Sequence, residues 1–347
     1  MKSLSGKSYE ESKIIGNGTF GDVYTVIRDD GKEFAFKKFK QDKNDIELGV
    51  LREISILKMF QNNNHGVINM EDIIIEKDNI IGIIMKKYKY DLDDAINKVK
   101  LDKEDRKKIT FQILKSILFL HENGIIHRDI KLENILLDEN NDPVVADFTL
   151  AKVFDGVCAG GTHTNRIATV TYRAPEVVKK KKYGYPIDAW SLGILFYQLF
   201  TYKIIPFDYD KDTLEFISKE KLKFKNNSLG NMVRGLLIVD PKKRWTPRQC
   251  LESEFFNVKI SIPKIRETIS DYNISKIIKD LCEDFNVKKK VTKWAAQIFV
   301  NRTSCPVQSA VELACKFYET ELYDIESEEY PEQELSILKK MEYNLFI

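Results

Sequence analysis

A short polar stretch carries the side chains that a phosphoryl-transfer centre needs. Residues 127–134 read HRDIKLEN, which sets an acid at Asp129, a cation at Lys131 and an amide at Asn134. Transfer of a phosphoryl group needs a carboxylate to orient the attacking hydroxyl, positive charge on the phosphate oxygens and an oxygen ligand for a metal ion. The spacing allows these groups to surround one phosphate, so we expect phosphoryl-transfer chemistry at this stretch.

A second stretch is rich in glycine. Residues 15–23 read IGNGTFGDV, and runs typical of β-strands flank them at residues 9–15 and 23–27. Three glycines often mark only a hairpin turn, and for this stretch alone that interpretation stays open. A tip without side chains also lets backbone N–H groups approach phosphate oxygens. No helix opens after the loop, which argues against Rossmann and P-loop sites.

The two stretches resemble the catalytic loop H-R-D-x-x-x-x-N and the Gly-rich loop of protein kinases. The Lys two residues after the Asp is the form found in serine/threonine kinases. The resemblance covers residues 8–257. It implies an α+β, two-lobed kinase fold with a small antiparallel β lobe plus one helix, a large mostly helical lobe, and ATP between the lobes.

Later landmarks of the family follow in order. Residues 174–176 read APE, residues 188–193 read DAWSLG, and Arg244 ends a DPKKR stretch. The resemblance implies that Asp188 braces the catalytic loop from a buried helix and that Arg244 pairs with Glu176.

The FAFK stretch ending at Lys37 predicts an alternating strand and resembles the V-A-I-K motif, whose Lys pairs with the α- and β-phosphates. Small Ala35 leaves room for adenine. The ion-pair partner of Lys37 is expected on a helix over residues 45–60, with Glu53 as the first candidate and Glu47 as the alternative.

The ADFT stretch resembles D-F-G, with Asp147 as a Mg²⁺ ligand and Asn134 as the ligand of a second ion. Thr149 replaces the glycine of the family. A β-branched residue narrows the φ/ψ choices. Easy flipping of Phe148 between active and inactive positions is therefore not expected.

The resemblance assigns the site as follows. Met85 is the gatekeeper, Val23 roofs and Leu136 floors the adenine pocket, and Asp91 lies near the ribose. The expected ATP contacts are Ile15, Gly16, Asn17, Gly18, Thr19, Phe20, Gly21, Val23, Ala35, Lys37, Met85, Lys86, Tyr88, Asp91 and Leu136. The expected catalytic residues are Lys37, Glu53, Asp129, Lys131 and Asn134, the metal ligands are Asn134 and Asp147, and the cofactors are ATP and Mg²⁺.

Residues 169–176, TVTYRAPE, are similar to the T-x-x-Y-R-A-P-E of cyclin-dependent and MAP kinases, and residues 47–57 resemble a shortened αC segment of cyclin-dependent kinases. Arg173 implies a protein substrate with Ser or Thr followed by Pro, although Thr171 stands where Trp is common. Thr164 falls at the position of the activating phosphothreonine. The alternative phosphorylation sites are Thr162 and Thr169. The basic residues expected to pair with the phosphate are Arg52, Arg128 and Lys152.

The tail separates into a linker at residues 258–271 and a helical region at 272–347. Apolar residues recur there at helical spacing, which fits a simple helical extension packed on the large lobe. The stretches WAAQIFVNR, LACKFYE and ELSILKKMEYNL also resemble successive helices of one cyclin box. Lys316 and Glu334 then match the Lys and Glu with which cyclins contact kinases, which implies an all-α cyclin-like domain acting in cis.

Composition limits which partners and which cellular locations the protein can have. The net charge of +2 over 347 residues gives no electrostatic case for a nucleic-acid partner. No apolar run approaches membrane-spanning length, and the five cysteines lack C-x-x-C spacing. We therefore expect a soluble intracellular protein without a membrane partner. The alternative function is a non-catalytic kinase-fold scaffold or binding module, which loss of Lys37, Asp129 or Asp147 would have favoured.

Overall fold

The computed structural model describes residues 1–18, 21–40, 48–60, 65–76, 79–99, 101–153, 170–202 and 227–259. Their contacts divide them into two compact units. The first contains Met1–Met59 and Asn69–Lys87, and the second contains Phe60–Ile68 and the described residues from Tyr88 onwards. The predicted cyclin-like region and most of its linker lie outside the described residues.

The first unit contains an antiparallel sheet, as predicted for the small lobe. Its strands are β1 (Tyr9–Asn17), β2 (Gly21–Arg28), β3 (Glu33–Phe39), β4 (Met70–Glu76) and β5 (Asn79–Lys86), in the order β1-β2-β3-β5-β4. Helix α1 spans Leu48–Met59, inside the predicted helical range. Alternation along the strands sends one set of side chains into an apolar core. That core consists of Tyr9, Val26, Phe34, Phe36, Ile74, Ile81 and Ile84.

Residues ahead of the first strand also belong to this unit. Ser3 forms an antiparallel bridge with Ile74, and Leu4 N donates to Ile73 O over 2.8 Å. These backbone bonds satisfy groups at the edge strand β4. The segment is polar, so its hydropathy pattern does not predict this pairing.

The second unit is mostly helical, as predicted for the large lobe. Its helices are α2 (Leu92–Lys98), α3 (Lys103–Glu122), α4 (Pro175–Val178), α5 (Pro186–Thr201), α6 (Ser228–Leu236) and α7 (Pro247–Glu252). Short strands form a sheet of β6 (Tyr90–Asp91), β8 (Ile135–Leu137) and β9 (Pro143–Val145), and a pair of β7 (Ile125–Ile126) with β10 (Lys152–Val153).

Helix α5 forms the centre of the second unit. Every residue from Ile187 to Leu199 is buried, which confirms the buried helix that the resemblance implies for Asp188. Gly193 permits the close packing of α6, because a Cβ there would lie 2.7 Å from Leu237 Cδ2. Within the described chain, no helix combines the length and the apolar character needed to cross a membrane.

Candidate active site

The Gly-rich stretch forms a β-hairpin between β1 and β2. Gly16 pairs with Val23 across the two strands, and Gly18 N donates to Gly21 O over 2.9 Å. Gly21 is needed for close backbone approach, because a Cβ there would lie 2.5 Å from Lys38 O. Lys40 Nζ donates to Gly18 O over 2.6 Å. The tip residues Thr19 and Phe20 lie outside the described residues.

The nucleotide-contacting residues predicted on the sheet share one of its faces. Val23 pairs with Lys37 across β2 and β3, and Ala35 pairs with Met85 across β3 and β5. Directly paired residues, and residues two apart on one strand, point to the same side of a sheet. The apolar core lies on the opposite face. The register therefore brings Val23, Ala35, Lys37 and Met85 together as the sequence predicts.

Lys37 makes the ion pair that the sequence predicts. Its Nζ lies 2.8 Å from both Oε1 and Oε2 of Glu53 on α1. The Lys37 and Glu53 side chains are 9% and 2% exposed, so little solvent screens their attraction. The pair fixes the ammonium group on the side of β3 that Val23, Ala35 and Met85 share. Glu47, the alternative partner, lies outside the described residues.

The predicted ATP contacts Lys86 and Tyr88 lie on either side of the division between the two units, which falls between Lys87 and Tyr88. Lys86 is exposed, while Tyr88 is half-buried. Burial, with a smaller contribution from the Asp138 charge, raises the pKa of the Tyr88 phenol to about 12. Tyr88 is therefore neutral at physiological pH.

Two predicted contacts of the second unit are neighbours in its small sheet. Asp91 on β6 pairs with Leu136 on β8. Asp91 also caps helix α2, because its Oδ1 accepts from Asp94 N over 2.7 Å. Burial is the main cause that raises the pKa of the Asp91 carboxyl above its usual value. Its proposed contact with a ribose stays a prediction.

The HRDIKLEN stretch brings the side chains of Lys131 and Asn134 to the carboxylate of Asp129. Lys131 Nζ lies 3.2 Å from Asp129 Oδ2. Asn134 Nδ2 donates to the same oxygen over 3.0 Å and to Asp129 O over 2.7 Å. Because the Asn134 nitrogen is used within the loop, its amide oxygen is the group left to act as a metal ligand.

The backbone of this loop is held from two sides. Asp188 on α5 accepts from His127 N and from Arg128 N, each over 2.9 Å, which confirms its predicted bracing role. His127 Nε2 bonds Ala146 O at 3.0 Å, and its Nδ1 accepts from Asp129 N at 3.3 Å. These partners place the His127 ring proton on Nε2. Arg128 has a φ of 67°, a strained value for a residue with a side chain.

The loop and the ADFT segment are joined directly, because Ala146 N donates to Asn134 O over 2.9 Å. Asp147 follows in the left-handed region, with a φ of 62°. Phe148 is fully buried, and its ring meets the His127 ring edge-on at 5.0 Å. Thr149 Oγ1 donates to Asp147 Oδ1 over 2.7 Å.

These residues fit a magnesium ion in their donor chemistry. Asn134 and Asp147 offer an amide oxygen and a carboxylate, which are ligands that Mg²⁺ prefers. Mg²⁺ at nucleotide sites takes few protein ligands because phosphates and water complete its shell. Within the part of the chain that the structure describes, no group of three or more His, Cys, Asp or Glu forms a dedicated metal cage.

Hydrogen bonds hold residues of the TVTYRAPE stretch in place within the second unit. Arg244 forms the predicted bidentate pair with Glu176, with N–O distances of 2.7 and 2.9 Å. Tyr172 OH donates to Gln198 Oε1 over 2.7 Å, and Ser191 Oγ donates to Tyr172 O over 2.8 Å.

The phosphothreonine hypothesis stays a prediction, because Thr164 and its rivals Thr162 and Thr169 lie outside the described residues. Arg128 is used within its own unit, where it donates to Leu150 O and to Tyr183 OH over 2.6 and 3.1 Å. The contact pair Lys316 and Glu334 also lies outside the described residues.

Three contacts of the site were not predicted from the sequence. The Thr149 hydroxyl bonds Asp147, and the Tyr172 phenol bonds Gln198. In the third contact, His121 Nε2 donates to Asp188 Oδ2 over 2.9 Å. His121 lies six positions before His127, and only the turn between α3 and β7 brings it back to the loop. No spacing pattern in the sequence signals these bonds.

Comparison with known proteins agrees with this geometry. The family model described as the protein kinase domain matches residues 9–256. A probable CTD kinase subunit alpha homolog of Encephalitozoon cuniculi is 31% identical over 55% of this chain and 57% of its own length. The Cell division control protein 2 homolog 3 of Trypanosoma brucei brucei is 35% identical over 57% of this chain and 64% of its own.

The carbon catabolite-derepressing protein kinase of Candida glabrata is 29% identical over 73% of this chain and 42% of its own length. The chain thus spans less than two thirds of each of these three curated relatives. The family model covers most of the chain and every described motif of the site. This chain belongs to the protein kinase domain family.

Proposed function

We propose that this protein is a serine/threonine protein kinase, which transfers the γ-phosphate of ATP to hydroxyl groups of protein substrates. The observation that carries the proposal is the cluster around Asp129, whose Oδ2 lies 3.2 Å from Lys131 Nζ and accepts from Asn134 Nδ2 over 3.0 Å. Membership of the kinase family and the serine/threonine form of the HRDIK stretch support it.

Lys37 and the residues of the cluster have roles in positioning or in charge neutralisation. Asp129 orients the substrate hydroxyl and accepts its proton. Lys131 neutralises charge on the transferring phosphoryl group. Lys37 binds the α- and β-phosphates, with its ammonium group held by the pair with Glu53. In this mechanism the protein forms no covalent bond with the phosphoryl group.

The metal site completes the proposal. Bound Mg²⁺ would supply positive charge that neutralises the phosphate oxygens. Asn134 and Asp147 would hold it through their oxygens, and the bond between Ala146 N and Asn134 O keeps the two segments adjacent. The sheet residues Val23, Ala35 and Met85 of the first unit would contact the base.

A cyclin-dependent-kinase-like specificity is the finer proposal. It is supported by the TVTYRAPE stretch and by similarity to proteins named CTD kinase and Cell division control protein 2 homologs. Arg173 would shape the pocket for a Pro after the phosphorylated Ser or Thr. A positional peptide library should show enrichment of Pro directly after the acceptor, and a flat profile there would remove this specificity.

We further propose that the region 272–347 is a cyclin-like domain that activates the catalytic domain of the same chain. The stretches that resemble cyclin-box helices support it, and so does the pair Lys316 and Glu334. Its target would be α1, the helix that carries Glu53. The linker at 258–271 keeps the two regions at high local concentration.

The test of the central proposal is phosphoryl transfer from radiolabelled ATP to a generic basic protein by the purified chain. Asp129→Asn should reduce the rate about 10²–10⁴-fold, which is the usual contribution of a positioned acid or base. Glu133→Gln is the matched control, because Glu133 is exposed in the same loop. Nucleotide binding without any transfer by the parent protein would favour the non-catalytic binding module.

A further inference from the structure

We propose that Thr149 is a positioning residue for the metal-binding carboxylate of Asp147. This inference rests on the proposed kinase function and deepens it at one atom. Thr149 Oγ1 donates to Asp147 Oδ1 over 2.7 Å, whereas its backbone N approaches the same oxygen at 3.4 Å. The glycine of the family at this position has only the backbone N–H to offer.

The two contacts orient the carboxylate. Both end on Oδ1, so Oδ2 is the oxygen that neither of them uses. A hydroxyl bond to a carboxylate at this distance is charge-assisted and stronger than a neutral one. It reduces the freedom of the Asp147 side chain to rotate, and ligands fixed in this way bind metals more tightly.

The hydroxyl is itself held in place. Thr149 is buried, at 3% exposure, and its β-branched side chain has few rotamers. The preceding Phe148 is packed on His127, and Ala151 N closes the turn by donating to Phe148 O over 2.9 Å. The φ angle of Thr149 is not positive, unlike that of Asp147, and it therefore suits a β-branched residue.

The bond therefore ties the metal ligand to the buried position of Phe148. Movement of the turn at residues 148–151 would withdraw the hydroxyl from Asp147. The Asp147–Thr149 bond thus couples the affinity of Asp147 for Mg²⁺ to the buried position of the Phe148 ring. In a chain with glycine here, that coupling would depend on the longer N–H contact alone.

The experiment compares three variants by the Mg²⁺ dependence of nucleotide binding, measured by calorimetry with ADP, alongside kinase activity. Thr149→Val removes the hydroxyl and keeps the branching, Thr149→Ser keeps the hydroxyl, and Thr149→Gly restores the residue of the family. Thr149→Val and Thr149→Gly should weaken apparent Mg²⁺ affinity at least about tenfold, as loss of a partner of a metal ligand typically does. Thr149→Ser should stay within about twofold of the parent by the same reasoning.

Two measurements separate this role from a merely structural one. ADP affinity in EDTA should be the same in all variants, because only the metal-dependent part of binding needs Asp147. In an Asp147→Asn background, Thr149→Val should have no further effect on Mg²⁺ dependence. Equal Mg²⁺ affinity of the Val variant and the parent would overturn the inference and leave the kinase proposal standing, whereas a parent without Mg²⁺-dependent ADP binding would overturn both.

Discussion

Lys37 has two roles that substitution can separate. The ammonium group is proposed to bind phosphates, and it also neutralises Glu53, which is buried in the first unit. Removing one member of a buried ion pair leaves the charge of the other in a poorly solvated place. Replacing both members with apolar residues avoids that penalty. Stability and activity should therefore respond differently to single and double substitution.

Lys37→Met should lower activity at least about a hundredfold and lower the free energy of unfolding by about 3 kcal/mol. The double variant Lys37→Met, Glu53→Met should regain most of that stability while remaining inactive. Urea denaturation and radiolabel transfer measure the two effects. Lys38→Met is the control, since Lys38 is exposed on the next position of β3 and should leave both quantities unchanged. Activity that returns in the double variant would exclude Lys37 from phosphate binding.

Sequence motifs were most informative for charged pairs whose two members both lie in stretches that resemble kinase motifs. The partners Lys37 and Glu53, and likewise Glu176 and Arg244, are present as predicted. The Thr149 hydroxyl bond could not be predicted in this way, because it depends on a side-chain rotamer within one turn. A single torsion leaves no periodic pattern in the sequence.

Helix α5 links the core of the second unit to its chemistry. The helix is buried along its length, yet its first turn carries the charged residue Asp188. The Asp188 carboxylate accepts hydrogen bonds from the His121 side chain and from two backbone N–H groups of the catalytic loop. Burial raises the pKa of this carboxyl, but the bonds from His121 and His127 outweigh it and hold the pKa below the ordinary value of 3.8. The charged form is the one that stabilises the fold.

The sign of the pH effect follows from that lowered pKa. A carboxyl with a depressed folded-state pKa contributes stability that is complete above its unfolded value and is lost as the pH falls through the folded value. Asp188→Asn should cost on the order of 2 kcal/mol at neutral pH, since a charged acceptor of several hydrogen bonds is lost. The difference between parent and variant should shrink as the pH falls below 3.8.

Urea midpoints measured from neutral pH to well below that value test this expectation. Glu139→Gln is the control for loss of one carboxylate. Because Glu139 is exposed, this variant and the parent should have the same stability at each pH. A gap between Asp188→Asn and the parent that stays constant with pH would mean that the carboxylate charge is not the stabilising feature. The catalytic rate of Asp188→Asn should also fall, because its loop loses its brace.

The elements of both units follow from sequence patterns to different degrees. The strand that ends at Lys37 was predicted from alternation, whereas the antiparallel sheet and the buried helix α5 were implied by the resemblance to protein kinases. The pairing of Ser3 and Leu4 with β4 was not predicted, because backbone bonds make it and a hydrogen bond from Ser5 to the Asp72 side chain supports it. Hydropathy patterns report which side chains are buried, and they do not report which polar segments are held by hydrogen bonds.

On the scale of the whole molecule, the catalytic domain occupies residues 9–256 and a further stretch of the same chain follows it. In the proposed arrangement, the tail stabilises the position of α1 in which Glu53 reaches Lys37. A module of this kind acts only by binding one position of the helix better than another. Tethering allows a weak surface to stay bound, because the effective concentration of a linked partner is high.

Deleting residues 260–347 should lower kinase activity strongly and leave the catalytic domain folded. This cut keeps Val258, whose N–H donates to Leu251 O over 3.1 Å at the end of the second unit. The separate tail, added in excess, should restore part of the activity, and the restored part should grow with its concentration. Initial rates and thermal unfolding of the truncated protein are the measurements.

Charge reversal tests the same idea in the full chain. Lys316→Glu combined with Glu334→Lys should reproduce the loss of activity, because both residues are proposed to contact the catalytic domain. Lys289→Glu combined with Glu328→Lys is the matched control, since it makes the same exchange outside the stretches that resemble cyclin-box helices. A truncated kinase that is folded and fully active would show that the tail does not activate. In that case the Lys37–Glu53 pair forms without help, and the tail is better assigned to docking of substrates or partners.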